Sequence, residues 1–464
     1  MDYQFFSVLP ILAVLFIAFW KKQVFLALIA GLALSSVIIG VPTGNFTVGI
    51  NAVSEVFTSV STAQTTFFIL LTGSIMTAAN RSGGVEGLVR YCTEKRSLVK
   101  SPVAAQMISA VLGLVLFVDG TSSITVTAMA GKPFFKKYGV PKEKLAFISN
   151  STGSAIAWLV PFGSACAVLT AFLTPVAEQL GIPGSPFQTV MSSVVFQFYT
   201  LALLVILFFT ILTGREWGPM KRSFTESAAA GNSAGLEYET QLPEGKEPKA
   251  RNMVFPIVFL VAVIFLLLLL TGEGSLAAGD GAFAVFTAGV LTVIVTGTYY
   301  VIQGITTVDG FIGWCIDGMK SMFDLVLILA LAYAFSATLG VLNTAGYLAQ
   351  FAGAMPRPLF MLAGLILSAC IAYATGTSGG TASLLVPILV PLAYQIGVPV
   401  PYILGVIISG AVFGDQSSPI SDSVILTSTV TDVPIMDHVR TQTPYTLCAL
   451  GAALAGYAIL GFTI

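Results

Sequence analysis

Uncharged apolar runs recur from one end of this chain to the other, many close to the roughly 20 residues that a helix needs to cross a hydrocarbon core of about 30 Å. That feature restricts the chain to a bundle of spanning helices, because a backbone in lipid must satisfy its own N–H and C=O groups. Composition agrees. Of 464 residues, 56% are hydrophobic and 9% are charged, where a soluble domain carries about 25% charged residues. An ordinary cytosolic enzyme, a nucleic-acid binder and a disordered scaffold are excluded. The 21 Lys+Arg and 22 Asp+Glu give a formal net charge of −1, so no global field draws in nucleic acid or an acidic partner. A single histidine and five cysteines with no close spacing (92, 166, 315, 370 and 448) argue against a histidine metal site, a Ser/His/Asp triad and a redox CxxC. There is no Walker loop and no GxGxxG. The expectation is a non-enzyme without a cofactor.

Ten segments read as crossings: about 4–20, 23–42, 63–80, 145–177, 186–213, 252–272, 281–303, 322–342, 400–431 and 441–463. Residues 1–20 have no basic start and no small-residue cleavage site, so they read as a first spanning helix and not as a cleaved signal. Two further stretches, 102–131 and 358–396, are interrupted by Asp119-Gly120-Thr121-Ser122-Ser123 and by Thr375-Gly376-Thr377-Ser378-Gly379-Gly380-Thr381. After the first interruption only about ten apolar residues remain before Lys132, half a crossing. Each stretch reads as a re-entrant hairpin. The basic residues test this. With both stretches re-entrant and the N-terminus outside, 20 of the 21 Lys+Arg fall on the cytoplasmic side and only Arg357 lies outside; as single crossings the split becomes 9 against 12. Short-loop Lys and Arg collect on the cytoplasmic side. The expected fold is therefore all-α and polytopic, with ten crossings, two hairpins and both termini outside a bacterial-type plasma (inner) membrane.

Residues 214–251 are polar and aperiodic and read as a partly disordered cytoplasmic linker. They separate two halves, 1–213 and 252–464, that resemble each other. Gly120-Thr121-Ser122 matches Gly376-Thr377-Ser378 at an offset of 256, Gly139-Val140-Pro141 matches Gly397-Val398-Pro399 at 258, Pro161 matches Pro419 at 258, and Asn80 matches Asn343 at 263. Five crossings and one hairpin per half invert the second copy, an architecture typical of secondary transporters with a site near the midplane.

Four polar stretches are expected to converge there. Two are the hairpin tips, with Asp119, Thr121 and Ser122 in one and Thr377, Ser378 and Thr381 in the other. Two are breaks in over-long helices, at Ser149, Asn150, Ser151, Thr152 and Gly153, and at Gly414, Asp415, Gln416, Ser417, Ser418 and Pro419, followed by Ser421 and Asp422. Freed carbonyls and side-chain oxygens suit a hard cation such as sodium, and half-helix N-termini suit an anionic group. A carboxylate in the membrane is a functional candidate by default, so a sodium site is expected at Asp415, Asp422 and Asp119 with hairpin hydroxyls and carbonyls. Asp415 and Asp422, seven apart, share a face if both arms stay helical. Asp317 and Asp324 read as a solvated helix end, and His438 as a solvated loop residue.

At Phe413-Gly414-Asp415-Gln416-Ser417-Ser418-Pro419-Ile420-Ser421-Asp422 and Asp437-His438-Val439-Arg440-Thr441-Gln442 the chain resembles the NhaC-type sodium/proton antiporters of the ion transporter superfamily. Lys144-Leu145-Ala146, Ser151-Thr152, Gly376-Thr377-Ser378 and Gly380-Thr381 extend the likeness over most of 60–450. The resemblance implies a homodimer with scaffold helices and a moving domain that carries the hairpins. One tip departs from it. Antiporter members often carry an acidic pair where this chain has Asp119 followed by Gly120, Thr121 and Ser122. A hydroxyl-rich tip is similar to the superfamily's carriers of malate, lactate or amino acids. Two expectations follow: sodium/proton antiport, or sodium-coupled transport of a small organic acid or amino acid.

Overall fold

The computed structural model describes every residue except 1–2, 22, 56–59, 92–100, 118–119, 161, 228–240, 244, 275–278, 353–354 and 464. Among the described residues there is helix and no strand. The first half comprises α1 (Leu9–Lys21), α2 (Val24–Thr43), α3 (Val48–Glu55), α4 (Val60–Arg81), α5 (Gly84–Arg90), α6 (Pro102–Val115), α7 (Gly120–Lys137), α8 (Lys142–Leu159), α9 (Ser164–Leu180), α10 (Pro186–Ser193) and α11 (Phe198–Thr213). A short α12 (Gly218–Ser227) opens the linker. The second half comprises α13 (Arg251–Thr271), α14 (Gly281–Ile302), α15 (Val308–Ser321), α16 (Phe323–Val341), α17 (Thr344–Ala352), α18 (Arg357–Thr375), α19 (Ser378–Gln395), α20 (Val400–Ser417), α21 (Asp422–Thr431) and α22 (Ile435–Thr463).

Among the described residues, eight helical segments are long and apolar enough to cross a membrane, or nine if the pair α15–α16, bent by 41°, is one span. The protein is an all-α, multi-pass membrane protein. The eight differ from the ten expected segments in identifiable ways. The first segment is a shorter apolar helix, Gln4–Ala18. Helix α4 has the length, but Ser61, Thr62, Gln64, Thr65 and Thr66 lower its hydropathy. Helix α18, the first arm of the second expected hairpin, is itself apolar enough to count.

The halves correspond element by element from α1–α8 to α13–α20. Helices α7 and α19 are each 18 residues long and start 258 positions apart, and so do α8 and α20. Pro133 and Pro391 fall inside the first pair at matching positions. Gly139 and Gly397 follow in left-handed conformation, with φ of +64 and +77. This register corrects two of the sequence matches. Gly120 occupies the place of Ser378, so the Gly-Thr-Ser likeness is two residues out of step with the helices. The counterpart of Asn343 (φ +50) is Gly83 (φ +71), not Asn80. The turn before α17 and before α5 needs a left-handed residue, which Gly and Asn adopt most readily.

The first break is also displaced. Ser149 to Gly153 lie inside an unbroken α8, which ends instead at Leu159, with α9 starting at Ser164. Small polar residues here serve close packing, as they commonly do between membrane helices. A Cβ on Gly153 would come within 2.4 Å of Ile124 in α7, and the Thr152 hydroxyl returns to the Ile148 carbonyl at 2.8 Å. The second break spans residues 418–421, so Gly414 to Ser417 remain helical. Asp415 and Asp422 therefore share no continuous helical face; they flank the break. The α18–α20 contact, the most extensive between any two helices, depends on Gly410 and Gly414. A Cβ there would meet the carbonyl oxygens of Leu365 and Ala369 at 2.4 and 2.3 Å.

The described parts of the linker are docked at both ends. Near its start, Glu216 forms a buried ion pair with Lys144 of α8 at 2.7 Å, and Trp217 stacks on Tyr445 of α22 at 4.5 Å. Toward its end, the Gln241 N–H donates to the Arg81 carbonyl at 2.9 Å, and the Trp314 indole donates to Gln241 Oε1 at 2.8 Å.

Candidate functional site

Four helices begin around one cavity of about 400 Å³. Gly120 and Thr121 open α7, Ser164 and Ala165 open α9, Ser378 and Gly379 open α19, and Asp422 and Ser423 open α21. Each helix start presents unpaired backbone N–H groups and the positive end of its dipole. The starts of α7 and α19 at the expected tips thus meet the starts of α9 and α21 beyond the observed breaks, the first of which is not the one expected at Ser149 to Gly153.

Local chemistry shapes each start. Gly376 ends α18 with φ +71, where a Cβ would strike the Ile420 carbonyl at 2.7 Å, so the second tip lies directly against the second break. Thr377 then caps α19 by accepting from the Gly380 N–H at 3.2 Å. Ser421 caps α21, accepting from the N–H groups of Ser423 and Val424 at 3.2 and 3.4 Å. At the first break, the freed Trp158 carbonyl accepts from Gln197 Nε2 at 2.8 Å and from the Cys166 thiol at 3.3 Å. The Trp158 indole donates to Ser378 Oγ at 3.1 Å and joins the first break to the second tip.

Asp415, in the last turn of α20, is 5% exposed and lines the cavity. Its Oδ1 accepts from the Ser421 hydroxyl and from the Ser423 hydroxyl, the latter at 3.3 Å. Those two hydroxyls are 2.9 Å apart. Ser378 approaches the same carboxylate with its hydroxyl and its backbone N–H. Among the described residues, the ion pairs involve no partner for Asp415. A buried carboxylate without a cation is unfavourable when ionised. The hydroxyl cluster around it offers further oxygen ligands of the type hard cations prefer.

Of the sixteen residues singled out in the sequence, Thr121, Thr377, Ser378, Asp415 and Asp422 line the cavity, and Ser421 reaches it through Asp415. Asp119 lies outside the described residues, as does the Ser122 side chain. The others point elsewhere. Thr381 bonds back to the Thr377 carbonyl at 2.8 Å. The Ser417 hydroxyl donates to Thr446 at 3.3 Å, and that of Ser418 donates to the Tyr373 carbonyl at 2.7 Å. Asn150 and Gln416 bond each other inside the protein. Ser149 and Ser151 are buried with no partner for either hydroxyl among the described residues. Sequence reasoning missed Trp158, Ser154, Ser164 and Ser423. The signal for Trp158 and Ser164 was the offset of 258, which pairs them with Gln416 and Asp422 across the true breaks. His438 is also corrected. It is fully buried in the first turn of α22, because the preceding turn is only 432–434 and folds it back under α8. Asp317, partly exposed, pairs with Arg81 at 2.9 Å and Lys320 at 3.0 Å, in keeping with a helix end.

Comparison with known proteins agrees with this picture. A model of the Na+/H+ antiporter family matches residues 176–462. An uncharacterised Haemophilus influenzae protein is 27% identical over 98% of this chain and 91% of its own length. The malate-2H(+)/Na(+)-lactate antiporter of Bacillus subtilis is 36% identical over 22% of each chain. The Alcanivorax borkumensis YdaH transporter shares the fold at a TM-score of 0.61 and 15% identity, with 90% of this chain and 86% of that chain covered. A polytopic helical protein whose broken helices meet at a carboxylate, matched over most of its length by that family model, belongs to the Na+/H+ antiporter family.

Proposed function

We propose that this transporter exchanges sodium for protons by alternating access, with Asp415 as the carboxylate that the two ions share. One observation carries the reading: a buried carboxylate surrounded by Ser421, Ser423 and Ser378, with no cationic side chain paired to it among the described residues. A proton and a sodium ion each neutralise that charge and exclude one another. Asp422, at the N-terminus of α21, and Thr121 and Thr377 at the hairpin tips complete the proposed cation path. The matching helix lengths and the distribution of Lys and Arg support an inverted repeat, with hairpins entering from opposite sides and both termini outside the inner membrane. A homodimer belongs to the reading on family resemblance, and the particle mass in lipid nanodiscs tests it.

The test uses purified protein in liposomes loaded with a pH-sensitive dye. Sodium added against an imposed proton gradient is expected to collapse that gradient with wild type and to do nothing with Asp415→Asn. A wild type that ignores sodium at every pH overturns the reading.

A second reading rests on the cavity itself. About 400 Å³ is within the range of small-molecule sites, roughly 300–1,000 Å³, and far more than one ion needs. Four helix N-termini with the Trp158 ring suit the carboxylate of an organic solute. Sodium-dependent uptake of labelled malate, lactate or an amino acid, without sodium-driven proton movement, selects this alternative.

A further inference from the structure

The proposed exchange leaves a buried histidine unused. His438, the chain's single histidine, is 0% exposed, and its Nε2 lies 3.2 Å from Asn150 Nδ2. Asn150 leads on to Gln416, the neighbour of Asp415 in α20. We propose that His438 is a proton-linked positioning residue for the transport site: neutral, it completes the hydrogen-bond chain that holds α20 beside Asp415; protonated, it breaks that chain. The geometry stands by itself, and only its consequence for transport rests on the sodium/proton reading.

The direction of every bond follows from one atom whose role is fixed. The Asn150 backbone oxygen can only accept, and Gln416 Nε2 lies 3.2 Å from it. The Gln416 amine end therefore faces α8, and its Oε1 accepts from the Tyr199 hydroxyl of α11 at 2.8 Å. The same Nε2 is 3.3 Å from Asn150 Oδ1, so the Asn150 amine end is left to face the imidazole. Nε2 must then accept, and a neutral ring carries its hydrogen on Nδ1. Gln442, four residues beyond His438 in α22, donates to the Gln416 carbonyl and clamps the backbone of the same residue. A proton on Nε2 would set N–H against N–H at this distance. Neither amide can turn to relieve it without breaking a bond that turns on the Asn150 oxygen atoms. Proton occupancy of His438 and this arrangement of α20 exclude each other, which makes the two thermodynamically linked.

The charged and titratable groups on the surrounding elements are otherwise engaged. On α8, Lys144 pairs with Glu216 at 2.7 Å, and Lys142 and Glu143 are partly exposed. Beyond α21, Asp432 holds Lys132 at 2.5 Å and receives Lys142 on its carbonyl at 2.6 Å. On α22 itself, Asp437 and Arg440 are exposed and Tyr445 donates to Glu216. On α20, Asp415 bonds Ser421 and Ser423. The Nδ1 atom has no partner among the described residues.

A lone histidine makes the test direct. Protein labelled with 15N-histidine, with any affinity tag removed, yields one imidazole in an NMR spectrum. The expected signal at neutral pH is the neutral tautomer with hydrogen on Nδ1. Asn150→Asp, which replaces the donor by an acceptor, is expected to move it to a form with hydrogen on Nε2. A wild-type ring already carrying hydrogen on Nε2 overturns the proposal, as does a ring that ignores Asn150→Asp. The transport arm compares the sodium half-saturation across pH in wild type and His438→Gln, which keeps an acceptor and cannot be protonated. The wild type is expected to weaken on acidification by up to about 100-fold per pH unit, two linked protonations, and His438→Gln by about tenfold, one protonation at Asp415. Equal slopes overturn the proposal. If wild type moves no protons with sodium at all, the sodium/proton reading fails, and the tautomer with its response to Asn150→Asp decides this proposal alone.

Discussion

The two broken helices have the same frame and different chemistry. Helices α8 and α20 have equal length; α8 ends at Leu159 with α9 starting at Ser164, and α20 ends at Ser417 with α21 starting at Asp422. Residue for residue across the offset of 258, the first break presents Ala157, Gly163, Ser164 and Ala165 where the second presents Asp415, Ser421, Asp422 and Ser423. The first break is closed on itself: its freed carbonyl is met by Gln197 and Cys166, and Trp158 reaches across to Ser378. The second is left with a carboxylate and the Ser421 and Ser423 hydroxyls bonded to it. One copy of the repeat forms a wall and the other carries the carboxylate of the proposed ion site. Twofold architecture thus does not impose twofold chemistry; a break supplies a place for oxygen ligands, and side chains decide whether they exist.

Three variants break or sharpen that contrast. The largest effect is expected from moving the carboxylate between copies. Asp415→Ala combined with Ala157→Asp should reduce sodium-driven proton flux to that of empty liposomes, because Gly163 and Ala165 offer no hydroxyls in place of Ser421 and Ser423. Flux above that background would show that either break can serve.

Removing the hydroxyls while keeping the carboxylate should have an intermediate effect. Hydrogen bonds to a charged group contribute about 1.5–3 kcal/mol each, so Ser421→Ala with Ser423→Ala should raise the sodium half-saturation at least about tenfold. Equal half-saturation in titrations of wild type and double mutant would detach the hydroxyls from the ion site. Thr377→Val should have the smallest effect. It removes the cap at the start of α19 and should cost about 1 kcal/mol of stability, read as a lower melting temperature in detergent. An unchanged melting temperature would leave the cap without energetic weight.

Much of this was legible in the residues. Helix α14 runs over 281–302 against an expected 281–303, and α16 over 323–341 against 322–342, because a crossing is set by how many consecutive apolar residues follow one another. Asp415 and Ser421 were legible for a related reason: a carboxylate and a proline beside four serines cannot continue an apolar helix without consequence. Ser149 to Gly153 misled because the same small hydroxyl residues that line a break also allow helices to touch. Only the presence of α7 against Gly153, with Ile124 filling the space a Cβ would take, distinguishes the two uses. His438 misled because a charge-flanked histidine near a helix end resembles loop sequence; its burial depends on α8 and α20, which lie far away in the chain.

By itself the sequence determined that this protein is a helical membrane protein in two related halves, because hydropathy and its interruptions are local properties of the chain. Where the helices end, which hydroxyls face Asp415 and what surrounds His438 were decided by the tertiary structure. A helix breaks where its freed polar groups find partners: the Trp158 carbonyl accepts from Gln197 and the Ser418 hydroxyl donates to the Tyr373 carbonyl, and both partners are brought close only by folding.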